Sequence, residues 1–399
     1  MASNAALVEI PRVVAPEVLT KEILVERARA LAPEIAALAR ETEQARKPLD
    51  SVIRKLDEAG LFTPLTPRRW GGPELGLDTQ LEIVEIISSA CMSTGWVTAF
   101  YIGHHIFACR FSEQAQAEIF ADGPRCLLPA STSAMMTVKT VPGGWELSGK
   151  ATWGSGIMHA DWVMVGGVAE DGARTFLLPA RDVICQDVWH VAGMAGTGSN
   201  DIVADKVFVP SHRSELYTDF LDGTTEGARI HDNPMYRGPL MPLIYSEIIG
   251  IFSGGLKGAQ TNFAETIKKR VITHTGQTVN ERPQAHIQVG QSFAALDVAQ
   301  QLARTIVHRT QELIATGDNA LEKRIALKAL TGFVTDHCRR SVNEMINRGG
   351  SSMFLNERPL QRFFRDINMV AVHAHWDCEI GYEQLGRNFV GLPPTNPLL

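Results

Sequence analysis

The first third of the chain carries apolar residues at the spacing of amphipathic helices. The clearest stripe steps by three and four positions, at Leu24, Ala28, Leu31, Ile35 and Leu38. Residues that recur in this way share one face of an α-helix, so the pattern predicts a helix packed against a core. Asp50 is placed to cap a second helix that ends at Gly60, and Pro and Gly residues over 64–73 then predict a loop.

The stretch from Thr94 to Phe111 is apolar almost all round and follows another apolar helix predicted over 81–90. A helix without a polar face is expected to be buried. His104 and His105 lie inside this helix. Residues 1–122 are therefore predicted to form a helical unit.

The pattern then changes to short apolar runs rich in Val, Trp and Thr, separated by Gly or Pro. The runs are 136–141, 145–147, 162–168, 175–178 and 202–209. Short runs at this spacing are typical of a compact antiparallel barrel or sandwich. Residues 123–212 are therefore predicted to be a β-domain.

The pattern becomes helical again after residue 238. Long stripes run through 240–276, 284–316, 319–347 and 359–387, which predict four antiparallel helices in a bundle. The segment 213–238, rich in Gly, Asp and His, is expected to be a long loop over the functional site. With this loop the bundle makes up residues 213–399, and the chain is assigned to the α+β class.

Composition narrows the possible partners. The 399 residues suffice for two or three packed units. The net charge is −6 and the only short basic run is 268–270, so nucleic acid is not expected as a partner. The six cysteines form no CxxC pair, which favours reduced thiols over a zinc site or disulfides. The N-terminus lacks the features of a signal peptide and no apolar stretch reaches 18 residues, so a cytoplasmic protein without membrane contact is expected.

Four histidines are candidates for chemistry, although each also has a structural interpretation as a hydrogen-bonded core residue. His104 and His105 point about 100° apart on a helix and cannot face one ligand. His373 and His375, two apart on the predicted last helix, should point in nearly opposite directions. No HExxH motif is present, and no metal is expected.

Two glycine-containing motifs flank predicted strands. The run Gly193 to Ser199 and the run Trp153 to Gly156 are both compatible with structural turns. Each also has a functional interpretation. Glycine permits close approach of a planar ring, and Thr197, Ser199 and Ser155 offer hydroxyl groups beside it. No GxGxxG or phosphate-binding loop is present to hold a nucleotide in the usual way.

Three motifs resemble those of the acyl-CoA dehydrogenase superfamily: Trp70-Gly71-Gly72-Pro73, Trp153-Gly154-Ser155-Gly156 and Arg362-Phe363-Phe364-Arg365-Asp366. The resemblance implies the acyl-CoA dehydrogenase fold, with an N-terminal helical domain, a central β-barrel domain and a C-terminal four-helix bundle. It also implies a flavin cofactor and a homotetramer.

Within that superfamily the chain is most similar to the oxygenases of two-component monooxygenases, which hydroxylate p-hydroxyphenylacetate or a phenolic secosteroid. The likeness lies in residues 93–97, 187–189, 196–200, 207–210 and 389–394. It implies an enzyme that uses reduced FMN or FAD and O₂, through a C4a-hydroperoxyflavin, to hydroxylate a small phenolic or indolic substrate. A separate NAD(P)H-dependent flavin reductase is implied as the partner.

The resemblance also assigns roles to residues. Ser155 corresponds to a hydroxyl near flavin N5, His373 to a histidine that assists oxygen activation, and His104 and Ser131 to contacts with the phenol. The remaining implied flavin contacts are Trp153, Gly196, Thr197, Gly198, Ser199 and Arg365. Where many dehydrogenases carry a catalytic Glu, this chain has Ala374, which cannot act as a base.

Three other functions stay open at this point. An acyl-CoA dehydrogenase would be isolated with tightly bound oxidised FAD and would turn over an acyl-CoA. A relative that oxidises nitrogen or sulfur is a second possibility. A catalytically inactive binding protein with the same fold is a third, and it would fail to bind reduced flavin.

Overall fold

The structure, a computed structural model, describes residues 4–10, 18–272, 274–396 and 399. The prediction that the chain has no signal peptide concerns its N-terminus, and residues 1–3 of that segment lie outside the described residues. The amino-terminal part is helical, with α1 (Lys21–Ala45), α2 (Asp50–Glu58), α3 (Leu77–Ala90), α4 (Met92–Ala108) and α5 (Glu113–Ile119).

The helix α4 is the central element of this part. Nearly every one of its residues is buried, as the absence of a polar face predicts, and it packs against α3 and against a long helix of the carboxyl-terminal part. The prediction that Asp50 caps α2 is wrong, because the cap position is Leu49. The Asp50 carboxylate instead accepts hydrogen bonds from Lys47 Nζ, at 2.6 Å, and from the His159 ring, at 2.9 Å.

The central part is a single mixed sheet. Its strands are β1 (Ala130–Val141), β2 (Gly144–Gly154), β3 (Trp162–Ala169), β4 (Gly172–Pro179), β5 (Ile184–Gln186), β6 (Asn200–Pro210) and β7 (Ser214–Leu216). Their order is β5-β6-β2-β1-β3-β4-β7. The pairs are antiparallel, as the sequence predicted, except for β1 and β3, which run parallel. A second apolar core, separate from that of the helices, lies under this sheet.

The segment 213–238 is not the long loop that its composition predicted. It contains β7, α6 (Tyr217–Asp222) and α7 (Glu226–Arg229). β7 adds to the sheet by pairing with β4, and Phe220 of α6 is fully buried. These elements are too short to give a periodic signal, because the strand has three residues and each helix spans fewer than two turns.

The carboxyl-terminal helices are α8 (Leu240–Lys269), α9 (Pro283–Thr316), α10 (Leu321–Gly349), α11 (Pro359–Val370) and α12 (Cys378–Phe389). The predicted continuous helix over 359–387 is wrong, because residues 371–377 interrupt it. Asp377 accepts hydrogen bonds from the N–H groups of Glu379 and Ile380 and so caps a new helix. The interruption, called here the 371–377 break, carries His373 and His375.

Two structural observations bear on the expected partners. In the described part of the chain, no helix combines the length and the apolar character needed to cross a membrane. Within the same residues, no group of three or more His, Cys, Asp or Glu side chains is arranged to hold a metal ion.

Candidate active site

A row of three aromatic side chains on α4 connects the predicted catalytic residues. Trp96, Phe100 and His104 are four positions apart and therefore share one helix face. The ring of Phe100 lies 4.8 Å from that of Trp96 and 5.1 Å from that of His104. Ser155 and His373 approach the Trp96 end of this row, which we call the α4 row. The fold thus brings together residues that are widely separated in sequence.

Ser155 belongs to a chain of buried hydroxyl groups. Its Oγ accepts a hydrogen bond from Trp96 Nε1 at 2.9 Å and lies 2.7 Å from Ser199 Oγ. Ser199 Oγ is in turn 2.7 Å from Thr197 Oγ1, which donates to the carbonyl of Met194 at 2.9 Å. Three of the predicted flavin contacts are therefore joined to one another.

The direction of the hydrogen bonds along these hydroxyl groups follows from the Met194 carbonyl at one end. A carbonyl oxygen only accepts, so Thr197 must donate its single proton to Met194. Ser199 must then donate to Thr197, and Ser155 must donate to Ser199. Ser155 is left with no free proton and one open acceptor position, because Trp96 fills the other.

The glycines of the 193–199 loop are required by packing within the protein. A side chain at Gly196 would collide with Thr42 of α1 and Ser93 of α4, and one at Gly193 would collide with the backbone of Arg365. Gly198 has a φ of 57°, in the left-handed region that favours glycine. These contacts explain the glycines without a cofactor, and contact of Gly196 and Gly198 with a flavin stays a prediction.

Arg365 and Asp366 of α11 hold the 193–199 loop in place. Arg365 Nη1 donates to the Ala192 carbonyl at 2.6 Å and also pairs with Glu43, while Asp366 Oδ1 accepts from the Met194 N–H at 2.6 Å. Burial raises the pKa of Asp366 to about 6. The structure thus gives Arg365 a role in positioning the loop, and its contact with the cofactor remains a prediction.

Trp153 is a large aromatic residue that the fold leaves at the surface. Its side chain is among the exposed large hydrophobic groups, at 61% exposure, and its φ of 62° is rare for a residue other than glycine. The backbone N–H of Trp153 donates to Asp201 Oδ1 at 3.3 Å, and its ring lies 6.2 Å from that of Trp189. A strained backbone that exposes a tryptophan beside Ser155 is typical of a ligand contact.

His373 lies in the 371–377 break and not on a helix. Its ring stacks on Trp376 at 4.2 Å and on His375 at 5.1 Å, so the expectation that the two histidines point apart is wrong. His373 Nδ1 accepts from the His375 N–H at 3.3 Å, which places the proton of the neutral ring on Nε2. Burial lowers the pKa of His373 to about 4, so the ring is neutral at pH 7.

His104 is buried between the rings of Phe100 and Phe107. Its Nδ1 donates to the carbonyl of Leu128 at 2.5 Å, which leaves Nε2 as an acceptor. Burial lowers the pKa of His104 to about 4, so this acceptor is present at neutral pH. Adjacent His105 accepts from the Cys126 N–H at 3.1 Å through Nε2, which gives it a structural role.

Ser131, the other predicted substrate contact, lies on β1. Its hydroxyl donates to the carbonyl of Thr152 at 2.7 Å, directly before Trp153 in sequence. The contacts of the described residues place Ser131 beside the end of β2 and do not join it to His104.

The chain resembles known proteins over most of its length. The models for the N-terminal and C-terminal domains of acyl-CoA dehydrogenases match residues 20–120 and 253–378. A pigment production hydroxylase of a Rhodococcus species is 38% identical over 96% of this chain and 100% of its own length. The oxygenase subunit HsaA of a flavin-dependent monooxygenase from Mycobacterium tuberculosis is 32% identical over 92% of this chain and 95% of its own.

The chain belongs to the flavin-dependent monooxygenases of the acyl-CoA dehydrogenase superfamily. The structure of XiaF from a Streptomyces species, in complex with FADH2 and glycerol, superposes on this monooxygenase with a TM-score of 0.86. The two chains are 28% identical, and the match covers 95% of this chain and 98% of the other. The family and fold expected from the sequence motifs are confirmed.

Two residues near the site were not among those that the sequence patterns singled out. Glu247 of α8 is buried and lies 3.8 Å from His104. Lys328 of α10 is also buried, and its Nζ donates to the His375 carbonyl at 2.9 Å. A signal for Glu247 was present in the sequence, because it is the only charged residue in the apolar stretch 240–256 of this monooxygenase.

Proposed function

We propose that this chain is the oxygenase component of a two-component monooxygenase that uses reduced FMN or FAD and O₂ to hydroxylate a small phenolic or indolic substrate. The reductase is a separate NAD(P)H-dependent protein. The observation that carries the proposal is the α4 row, with the acceptor Ser155 and His373 at one end and the acceptor His104 at the other.

The residues present fit a reduced flavin. Ser155 offers an open acceptor position, and a reduced flavin carries an N–H group at N5 where an oxidised flavin carries only a lone pair. Trp153, two residues before Ser155 in sequence, has an exposed ring that offers an apolar face. When bound, the reduced flavin supplies the electrons that activate O₂, and the preference of Ser155 for a donor favours the reduced form.

The two histidines divide the handling of protons. His373 is neutral and carries its proton on Nε2, so it can donate a hydrogen bond to a reacting oxygen at the Trp96 end of the α4 row. His104 is neutral with Nε2 as an acceptor, so it can take the proton of a phenol. A hydrogen-bond donor and an acceptor at opposite ends suit a reaction in which one oxygen is stabilised by a hydrogen bond and another is deprotonated.

The acyl-CoA dehydrogenase function is less well supported. Such an enzyme needs an ionised carboxylate as base, and Ala374 supplies none. Glu247 is a carboxyl close to the α4 row, but burial raises its pKa well above the usual range and so favours its neutral form. A neutral carboxyl cannot abstract an α-proton.

A homotetramer is the proposed assembly. The helices α9 and α10 leave Ile287, Phe293 and Phe333 exposed at 52%, 55% and 44%. Large apolar side chains on neighbouring long helices favour burial against other copies of the chain.

The experiment that tests the function supplies reduced FMN or FAD, O₂ and a panel of phenols and indoles, with product analysis. We expect hydroxylated product with reduced flavin and none with oxidised flavin in the absence of a reductant. A protein that purifies with stoichiometric oxidised FAD and oxidises an acyl-CoA would contradict the proposal.

A further inference from the structure

Glu247 has an unusual environment for a carboxyl group. It is 3% exposed, and its Oε1 has no hydrogen-bond partner among the described residues. The carboxyl packs directly on the backbone of Gly103, where any side chain would collide with Oε1. A buried polar atom without a partner is unfavourable, and a ligand that forms a hydrogen bond with Oε1 would satisfy it.

The nearest candidate partner is His104, one residue after Gly103. The distance between His104 Nε2 and Glu247 Oε1 is 3.8 Å, which is too long for a hydrogen bond. The two groups do not form an ion pair, because burial lowers the pKa of the histidine and raises that of the carboxyl. The pair therefore consists of an open acceptor, Nε2, facing a neutral carboxylic acid with an O–H to donate.

We propose that Glu247 and His104 together bind the hydroxyl group of the substrate, and that this site selects phenols over indoles. The proposal rests on the function proposed above and names the substrate class. A substrate hydroxyl group within reach of both residues donates a hydrogen bond to His104 Nε2 and accepts one from the carboxylic acid of Glu247. An indole N–H can only donate a hydrogen bond, so it satisfies His104 Nε2 but leaves the O–H of Glu247 without an acceptor.

The same arrangement explains how the phenol is activated. As the O–H bond of the substrate breaks, an N–H bond forms on Nε2, and the electron pair stays on the phenolic oxygen. The O–H of Glu247 donates to that oxygen and stabilises the developing negative charge. An ionised carboxylate at this position would repel that charge, so the mechanism needs the neutral form of Glu247, which burial favours.

The experiment compares the binding of three probes to the anaerobic protein loaded with reduced flavin: 4-methylphenol, its methyl ether 1-methoxy-4-methylbenzene, and indole. We expect the native protein to bind the phenol roughly ten- to a hundred-fold more tightly than the ether or indole. Glu247→Leu should lose most of this preference, whereas Glu247→Gln, which keeps an N–H donor, should retain much of it. Glu265→Leu, an exposed change on the same helix, is the matched control.

The outcomes separate the two proposals. Equal preference in Glu247→Leu and the native protein, or tighter binding of indole than of the phenol by the native protein, would overturn the role of Glu247. Absence of hydroxylated product from every aromatic compound would instead contradict the proposed function. Reduced-flavin affinity and circular dichroism identify a variant that has merely misfolded, and Glu247→Gln then still tests the site.

Discussion

Thr197 shows how one hydroxyl group sets the hydrogen-bonding state of another. It contacts a carbonyl, so it must donate, and this fixes Ser199 and then Ser155 as donors along the chain. Ser155 consequently meets any ligand as an acceptor. The proposed preference for reduced flavin thus depends on residues that need not touch the cofactor.

Thr197→Val should narrow the preference for reduced over oxidised flavin. Valine has nearly the same shape but offers no acceptor, so Ser199 is free to donate to Ser155, whose own proton becomes available to an acceptor such as oxidised N5. The ratio of the two dissociation constants should fall by about five-fold, corresponding to roughly 1 kcal/mol for one hydrogen bond. Anaerobic and aerobic flavin titrations measure it. Thr331→Val, a buried helical threonine in the bundle, is the control, and an unchanged ratio in Thr197→Val would rule out the directional chain.

Ser155→Ala tests the residue at the end of the chain. It removes the acceptor that is proposed to face the cofactor and leaves Trp96 Nε1 without its partner. Flavin binding should persist, while less hydroxylated product and more H₂O₂ form per reduced flavin. The rate of hydroxylation relative to the rate of H₂O₂ release should fall by a factor of roughly five to 150, corresponding to about 1–3 kcal/mol. Stopped-flow oxidation with product analysis measures this, and an unchanged yield would exclude Ser155 from the mechanism.

At the scale of elements, the 371–377 break matters more than the helices it separates. Lys328 Nζ donates to the carbonyl of His375, and Trp376 Nε1 donates to the carbonyl of Val370. These bonds replace the helical ones that the break has lost. They hold the ring of His373 beside Trp96.

Lys328→Met should loosen the break without unfolding the bundle. Methionine fills a similar volume, but the His375 carbonyl loses its donor, which costs about 1–3 kcal/mol locally. Hydrogen exchange of the amides of 371–377 should accelerate, and oxygen activation should slow while flavin affinity is kept. Lys323→Met, an exposed change on the same helix, should do neither. Unchanged protection of these amides would show that Lys328 does not hold the break.

At the scale of the whole molecule, Asp366 links the bundle to the central sheet unit. It lies on α11 and accepts from Met194 of the 193–199 loop. Burial raises its pKa from 3.8 to about 6, so the protonated form is favoured in the folded state. The stability that Asp366 contributes is therefore largest below pH 3.8 and is lost as the pH rises through about 6.

Asp366→Asn should gain stability relative to the native protein as the pH rises from about 4 to 6. The asparagine does not titrate and keeps a carbonyl oxygen for the Met194 N–H. Above about pH 6 the difference should level off. Urea unfolding of both proteins at several pH values measures this difference. A difference that is constant with pH, or one that shrinks as the pH rises, would contradict the assignment.

The sequence by itself determined the class of the three main segments and the family. Periodic apolar positions predicted the long helices, because helix faces repeat over many turns, and short separated runs predicted the strands. Motifs such as Trp153 to Gly156 resembled the superfamily that the relatives confirm. The short helices of 213–238 and the 371–377 break could not be predicted from periodicity, because their conformation depends on side-chain caps and tertiary hydrogen bonds.

Only the tertiary structure decided which residues meet. His104 and Glu247 are far apart in the chain and become neighbours because α4 packs on α8 at Gly103. The direction of the hydroxyl chain depends on a carbonyl brought to Thr197 by the fold of the loop. Periodicity records which faces are buried but not which buried faces touch, and burial then favours the neutral forms of Glu247, His104 and His373.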